Sequence, residues 1–276
     1  MFRQGSGSSL CYACGKLNRV DASVCFYCGR RNPGLWGFGP VVGLLVGGLD
    51  FAALVTAVTI AAYLASLALD PRAALAPRGV FDLLAPGGRA LNALGMAGAV
   101  PWQDGRWWTI LTGIYLHGSL LHILFNVLWI RQLLPDVEEV YGQARTIVIF
   151  TLSGAAGFLL SDAAGNRYTL GASGAIFGVL GAMVWYGRRR GGLFGAAVLR
   201  QYGSWALILF VFGLLSGMGV DNWGHAGGFV GGWLVALVLG AGDQRPERGV
   251  HRVLAAGCLV LTAVAFALQL WTAFAG

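Results

Sequence analysis

Four polar side chains stand in runs of sequence where little else is polar: His122, Asn126, Ser173 and His225. A serine hydroxyl is a weak nucleophile until an adjacent base accepts its proton, and histidine supplies that base near neutral pH. Acyl transfer also needs donors aimed at the oxyanion that develops. His122 and Asn126 are four residues apart and so share one helix face. With the backbone N–H of Ser173 they are the candidate donors. A second constellation lies at the N-terminus, where Cys11-x2-Cys14 and Cys25-x2-Cys28 form two knuckles. Four thiolates in tetrahedral array with no free position make a structural zinc site, and Gly15 and Gly29 suit the tight turn after each second cysteine.

Singly, these residues have plainer readings. A serine in a glycine-rich helix is usually packing, and a lone intramembrane histidine more often marks a proton path or a ligand. Their ordered combination favours catalysis. Cys258 reads as a small apolar side chain. Asp50 reads as a residue of the cytoplasmic interface, Asp162 and Asp221 as solvated residues of outer turns, and Glu138 and Glu139 as residues of a cytoplasmic turn that bond locally.

The elements that must position these groups follow from composition. The chain is 57% hydrophobic and 11% charged, against about 25% charged in soluble domains. That excludes an ordinary soluble fold and implies an all-α polytopic membrane protein, whose polar chemistry lies in loops or inside the bundle. Seven spans are expected, over about 51–69, 112–134, 145–161, 171–187, 203–220, 223–240 and 253–274. The first ten residues are polar and carry no signal-peptide core, so the N-terminus is expected in the cytoplasm, where thiols stay reduced. With that orientation 14 basic residues fall inside and 5 outside, as the positive-inside rule requires. The seventh span then leaves the C-terminus outside.

On this topology the second, fourth and sixth spans run in one direction and bring His122, Asn126, Ser173 and His225 to a similar depth below the outer face. Gly174, Gly178 and Gly181 form a small-residue stripe below Ser173, and Gly224, Gly228 and Gly232 form another around His225. Such stripes let two helix backbones approach closely. If the two stripes meet, Ser173 and His225 come within hydrogen-bonding reach.

The run His117-Gly-Ser-Leu-Leu-His122-Ile-Leu-Phe-Asn126, then Gly171-Ala-Ser173-Gly174, then Gly224-His225-Ala-Gly-Gly228 with Gly232, resembles the rhomboid proteases over roughly residues 105–240. The resemblance implies a six-helix core, here with a seventh C-terminal helix added, and a Ser–His dyad without an aspartate. It implies substrates that are single-pass membrane proteins, cut near the outer end of their transmembrane helix. Water would reach the site through a cavity opening outward, with no metal in the chemistry, and residues 70–111 would be a membrane-embedded structural loop. Gly171, Phe177 and His117 take supporting places, His117 as a hydrogen-bonder capping the loop. Two positions depart from the family pattern. Its Trp-Arg pair falls on Trp108-Thr109, with Arg106 nearby, and a Tyr common four residues after the nucleophile is Phe177, which stacks but donates no hydrogen bond.

Residues 1–34 resemble zinc-ribbon modules. So short a segment buries little core, and bound zinc would supply its folding energy. The expected organisation is a cytoplasmic knuckle over 1–34, a juxtamembrane linker over 35–50 and a membrane domain over 51–276, its core about 51–240 and its extra helix about 253–274. The expected place is a prokaryotic cell (inner) membrane. Expected partners are transmembrane substrates, the bilayer and a cytoplasmic protein for the knuckle, rather than nucleic acid. A non-cleaving relative that binds transmembrane clients would lack the Ser or the His, and both are present. A transporter would show intramembrane acidic pairs or inverted repeats, which this sequence lacks.

Overall fold

A computed structural model describes residues 3–12, 14–39, 41–42, 50–76, 79–215, 219–241 and 247–274. Strands β1 (Ser8–Leu10) and β2 (Leu17–Arg19) form an antiparallel hairpin, with Ser9 opposite Asn18. Each Cys-x2-Cys-Gly turn is built alike. The N–H of Gly15 donates to the Cys11 carbonyl and that of Gly29 to the Cys25 carbonyl, at 2.9 and 3.0 Å. Both glycines are left-handed, at φ 69° and 68°, where a side chain would be strained.

Among the described residues seven long helices follow: α1 (Phe51–Leu69), α2 (Leu120–Tyr141), α3 (Gln143–Ala163), α4 (Ser173–Arg190), α5 (Gly192–Leu215), α6 (Asn222–Leu239) and α7 (Gly249–Phe274). By length and composition α1, α2, α3, α5 and α7 suffice to cross a membrane. The other two are not in that set: α4 ends in Arg188, Arg189 and Arg190, and the first half of α6 carries Asn222, His225 and several glycines. These two carry Ser173 and His225. α4 sits inside the bundle, packed against α2, α3, α5 and α6 and buried over most of its length, while α6 buries its glycine face against α4 and α3.

Several expected boundaries move. α2 begins at Leu120 rather than 112, because a turn at Gly113–Tyr115 interrupts the apolar run and Ser119 caps the helix, its Oγ accepting from the His122 N–H at 3.3 Å. α2 also continues to Tyr141, so Glu138 and Glu139 lie in its last turn rather than in a connecting turn. α5 begins at Gly192 rather than 203, directly after the turn made by Gly191 and Gly192. Its expected end at 220 runs through residues outside those described, as does part of the linker 35–50. Asp50 caps α1, accepting from the Ala53 N–H at 2.8 Å.

Between α1 and α2 the chain forms short helices at Pro71–Leu75, Gly88–Ala93, Ala99–Gln103 and Thr109–Thr112. This region is structured rather than a linker. Arg106 ties it together from within, donating to Asn92 at 3.1 Å and reaching Asp104 at 3.4 Å.

Candidate active site

The two glycine stripes meet. A Cβ on Gly228 would run into the carbonyl oxygen of Gly174, and one on Gly232 into that of Gly178. Only glycine permits this approach, and it brings the first turns of α4 and α6 side by side. Ser173 opens α4 and His225 lies in the first turn of α6, with Ser173 Oγ 2.9 Å from His225 Nε2. Phe177, one turn below Ser173, stacks on the imidazole with 4.2 Å between ring centroids and 16° between planes. His225 is 6% exposed, so the pair is shielded on this side by an aromatic wall.

His122 faces the same place from α2. The Gly118 N–H donates to His122 Nδ1 at 3.4 Å, which makes Nδ1 the acceptor and leaves the proton on Nε2. That nitrogen points at Gly171. A Cβ at Gly171, whose φ is 120°, would lie 2.8 Å from His122 Nε2 and 3.9 Å from Ser173 Oγ. The glycine thus leaves open the space between a potential N–H donor and the serine. Asn126 is buried, and its Nδ2 donates to the His122 carbonyl at 2.8 Å. Its Oδ1 has no partner among the described residues. The His117 ring is fully buried against that of His122, with centroids 4.9 Å apart. Neither of its ring nitrogens meets a partner at hydrogen-bond geometry among the described residues. The Tyr115 backbone and the Asn126 side chain are the groups that act on its imidazole as polar neighbours.

One polar hub was not foreseen. Asp221, expected as a solvated turn residue, caps α6 through the Gly224 N–H at 2.8 Å. It also accepts from Ser161 Oγ at 2.5 Å, Asn166 Nδ2 at 2.9 Å and Thr169 Oγ1 at 2.6 Å. The cap had a local signal, an aspartate three residues before Gly224. The other three partners lie 52 to 60 residues away and had none. Asp162, also expected to be solvated, has both carboxylate oxygens covered and without a partner among the described residues.

At the N-terminus the four cysteine sulfurs lie within 4.8 Å of one another. Cys11 and Cys28 are 3.8 Å apart and Cys14 and Cys25 3.7 Å. Tetrahedral zinc with bonds of about 2.3 Å separates its sulfurs by about 3.8 Å, so the cluster fits that ion. Asn18 Nδ2 donates to the Cys25 sulfur at 3.3 Å. Burial opposes ionisation of Cys25, but backbone N–H donors of Cys28 and Tyr27 and the adjacent thiols outweigh it and hold this thiol down at about 6.

A helical membrane protein with a serine–histidine pair at the glycine-lined crossing of two helices is the class these features define. Comparison with known proteins agrees. Residues 104–242 match the rhomboid domain. The chain is 35% identical over 168 residues to Rhomboid protease GluP of Bacillus subtilis (strain 168), covering 59% of this chain and 32% of that protein. It is 30% identical over 176 residues to RHOMBOID-like protein 5 of Arabidopsis thaliana, covering 60% and 54%. It is 32% identical over 188 residues to Rhomboid-like protease 3 of Toxoplasma gondii, covering 64% and 68%. The chain thus spans about a third of GluP and about half of the Arabidopsis protein. It belongs to the rhomboid family.

Proposed function

We propose that the chain is an intramembrane serine endopeptidase in which Ser173 is the nucleophile and His225 the general base. The observation that carries this reading is the 2.9 Å contact between Ser173 Oγ and His225 Nε2. In the first step the Oγ–H proton passes to Nε2 while Oγ bonds to the scissile carbonyl carbon. The carbonyl oxygen becomes an oxyanion, which the His122 Nε2–H, the Ser173 backbone N–H and the Asn126 amide stabilise. The C–N bond then breaks as His225 returns the proton to the leaving amine. Water, deprotonated by His225, releases the acyl group from Ser173 and restores the pair.

All seven long helices are assigned as spans: α4 reaches across because its neighbours shield it from lipid, and α6 because the face it does not bury carries Val230, Leu234, Leu237 and Val238. The substrates are transmembrane segments of single-pass proteins, cut near the outer face. The charge asymmetry supports an orientation with residues 1–34 in the cytoplasm and the seventh helix ending outside. The knuckle is an accessory domain holding structural zinc through Cys11, Cys14, Cys25 and Cys28, with no part in the peptide chemistry. Its partner is a cytoplasmic protein or the membrane surface.

The test is labelling of the detergent-solubilised chain by a serine-directed fluorophosphonate, with cleavage of a reporter transmembrane substrate measured in parallel. Ser173→Ala is expected to fold, to resist labelling and to lose cleavage. Parental cleavage by that variant would overturn the assignment.

A further inference from the structure

The seventh helix looks like an appendage to the core, but one residue ties it to the region around the dyad. Gln269 is only 2% exposed in an otherwise apolar stretch of α7. A primary amide buried there is costly unless it is hydrogen-bonded. Both ends of this one are used. Its Oε1 accepts from Trp108 Nε1 at 3.0 Å, and its Nε2 donates to the carbonyls of Asn92 at 3.1 Å and Ala93 at 3.0 Å.

The segment so held, residues 92–98, supports both members of the Ser–His pair. Toward the serine, the Gly95 carbonyl accepts from the buried Thr112 hydroxyl at 2.7 Å. The carbonyl of the next residue, Gly113, accepts from the Gly171 N–H at 2.9 Å, two residues before Ser173. Toward the histidine, the Ala97 carbonyl accepts from the Thr169 N–H at 2.8 Å. The Thr169 hydroxyl donates to Asp221 at 2.6 Å, and the Asp221 carbonyl accepts from the His225 N–H at 3.0 Å. Two separate hydrogen-bonded paths thus leave one short segment and end on the backbone beside the reacting groups, at Gly171 two residues before Ser173 and at the N–H of His225.

We propose that Gln269 is a positioning residue for the Ser173–His225 pair, acting by clamping residues 92 and 93 onto α7. The proposal rests on the protease reading above, and it makes the seventh helix part of the catalytic apparatus. The physical reason is that proton transfer from Ser173 to His225 is sensitive to small displacements. A misplacement of about 1 Å costs on the order of a hundredfold in rate. A segment that holds both partners can shift one against the other once its own anchor is released.

The experiment uses the full chain in detergent with a reporter transmembrane substrate, the concentration of active sites being titrated with a fluorophosphonate. Gln269→Leu removes all three bonds at similar volume, and Trp108→Phe removes the indole N–H with part of the ring while leaving the two bonds of Gln269 Nε2 in place. Gln269→Leu is expected to lower kcat per titrated site by about ten- to a hundredfold with KM within about twofold of the parent. Trp108→Phe is expected to lose less, and the double variant no more than Gln269→Leu, because both act on one cluster. A parental kcat per titrated site, with loss only in the titratable fraction, would mean a purely structural role and would overturn the proposal. If Gln269→Leu gives no folded protein, Trp108→Phe decides in the same way. Ser173→Ala runs alongside. If it still cleaves, the protease reading fails; if it is inactive while the Gln269 and Trp108 variants turn over at the parental kcat, only the positioning role fails.

Discussion

The ring of Phe177 lies flat on the imidazole of His225, 4.2 Å between centroids and 16° between planes. The Nδ1 of His225 has no partner among the described residues, so no carboxylate orients this imidazole as in a three-residue triad. Its orientation comes from the bond to Ser173, from the helix and from this stacking. Phe177→Ala is expected to lower kcat by about three- to tenfold, the equivalent of an aromatic contact of about 0.5–1.5 kcal/mol. Phe177→Tyr keeps the stack and is expected to stay within about twofold of the parent. Steady-state kinetics on the reporter checks both, and an unaffected Phe177→Ala would show that stacking does not orient the base.

The two oxyanion candidates are not equivalent in the structure. His122 presents a free Nε2–H toward the space beside Gly171, whereas Asn126 already spends one amide proton on the His122 carbonyl. Loss of a single oxyanion donor typically costs about 10²–10³ in kcat. His122→Ala is expected to show that full effect and Asn126→Ala a smaller one, with both proteins melting close to the parent. Equal and negligible losses in kcat would remove both from the oxyanion site.

The contact between α4 and α6 makes a steric prediction. A methyl group on Gly228 would overlap the Gly174 carbonyl and push the helices apart just below the dyad. Overpacking of this kind costs about 1–3 kcal/mol, and separation of Ser173 from His225 should abolish turnover before the protein unfolds. Gly257 in α7 is the control, since a Cβ there would meet nothing within 4 Å. Gly228→Ala is expected to be inactive with a lowered Tm, and Gly257→Ala to behave as the parent. Activity in Gly228→Ala would mean that the helices tolerate a wider crossing than the one described.

How much of this was legible beforehand differs from residue to residue. Ser173, His225, His122 and Asn126 stood out because lipid leaves polar side chains few places to be, and the glycine stripes indicated which helices could approach. The four cysteines were legible from spacing alone. Helix ends were not always so. Residues 112–119 continue the apolar run that marks α2, but Ser119 starts the helix only at Leu120. Residues 192–202 include Arg200 and Gln201 and look too polar for a span, yet they are helical because α5 begins directly after the turn at Gly191. The bonds of Gln269 to the loop, and those of Asp221 beyond its cap on α6, were invisible for another reason. Their partners are distant in sequence, 161 residues in the case of Trp108 and Gln269, and no local pattern encodes such a pairing.

The knuckle supplies the last prediction. Among the described residues it meets the membrane domain at the start of α7, where the Tyr12 carbonyl faces Gly249 so closely that no Cβ could fit. Gln269 lies twenty residues further along the same helix, about 30 Å away at about 1.5 Å per residue. The clamp on the loop therefore sits at the opposite end from the knuckle. Its sulfur cluster has the dimensions of a four-thiolate zinc site, and a segment this short depends on its metal to stay folded. The purified chain is expected to hold about one zinc ion, and Cys11→Ser with Cys14→Ser to release it and unfold residues 3–34. Deletion of residues 1–34 removes the contact at Gly249 and the bonds of Arg3 and Gln4 to the linker carbonyls of Trp36 and Gly37, none of them at the dyad, and kcat/KM in detergent is expected to stay within about twofold of the parent, the scatter of a site left intact. Zinc content per chain, protease sensitivity of the N-terminal segment and reporter kinetics measure the three parts. A deletion that silences turnover while the membrane domain still melts normally would mean that the contact at Gly249 reaches the dyad through α7, and that the knuckle is a regulator of the site.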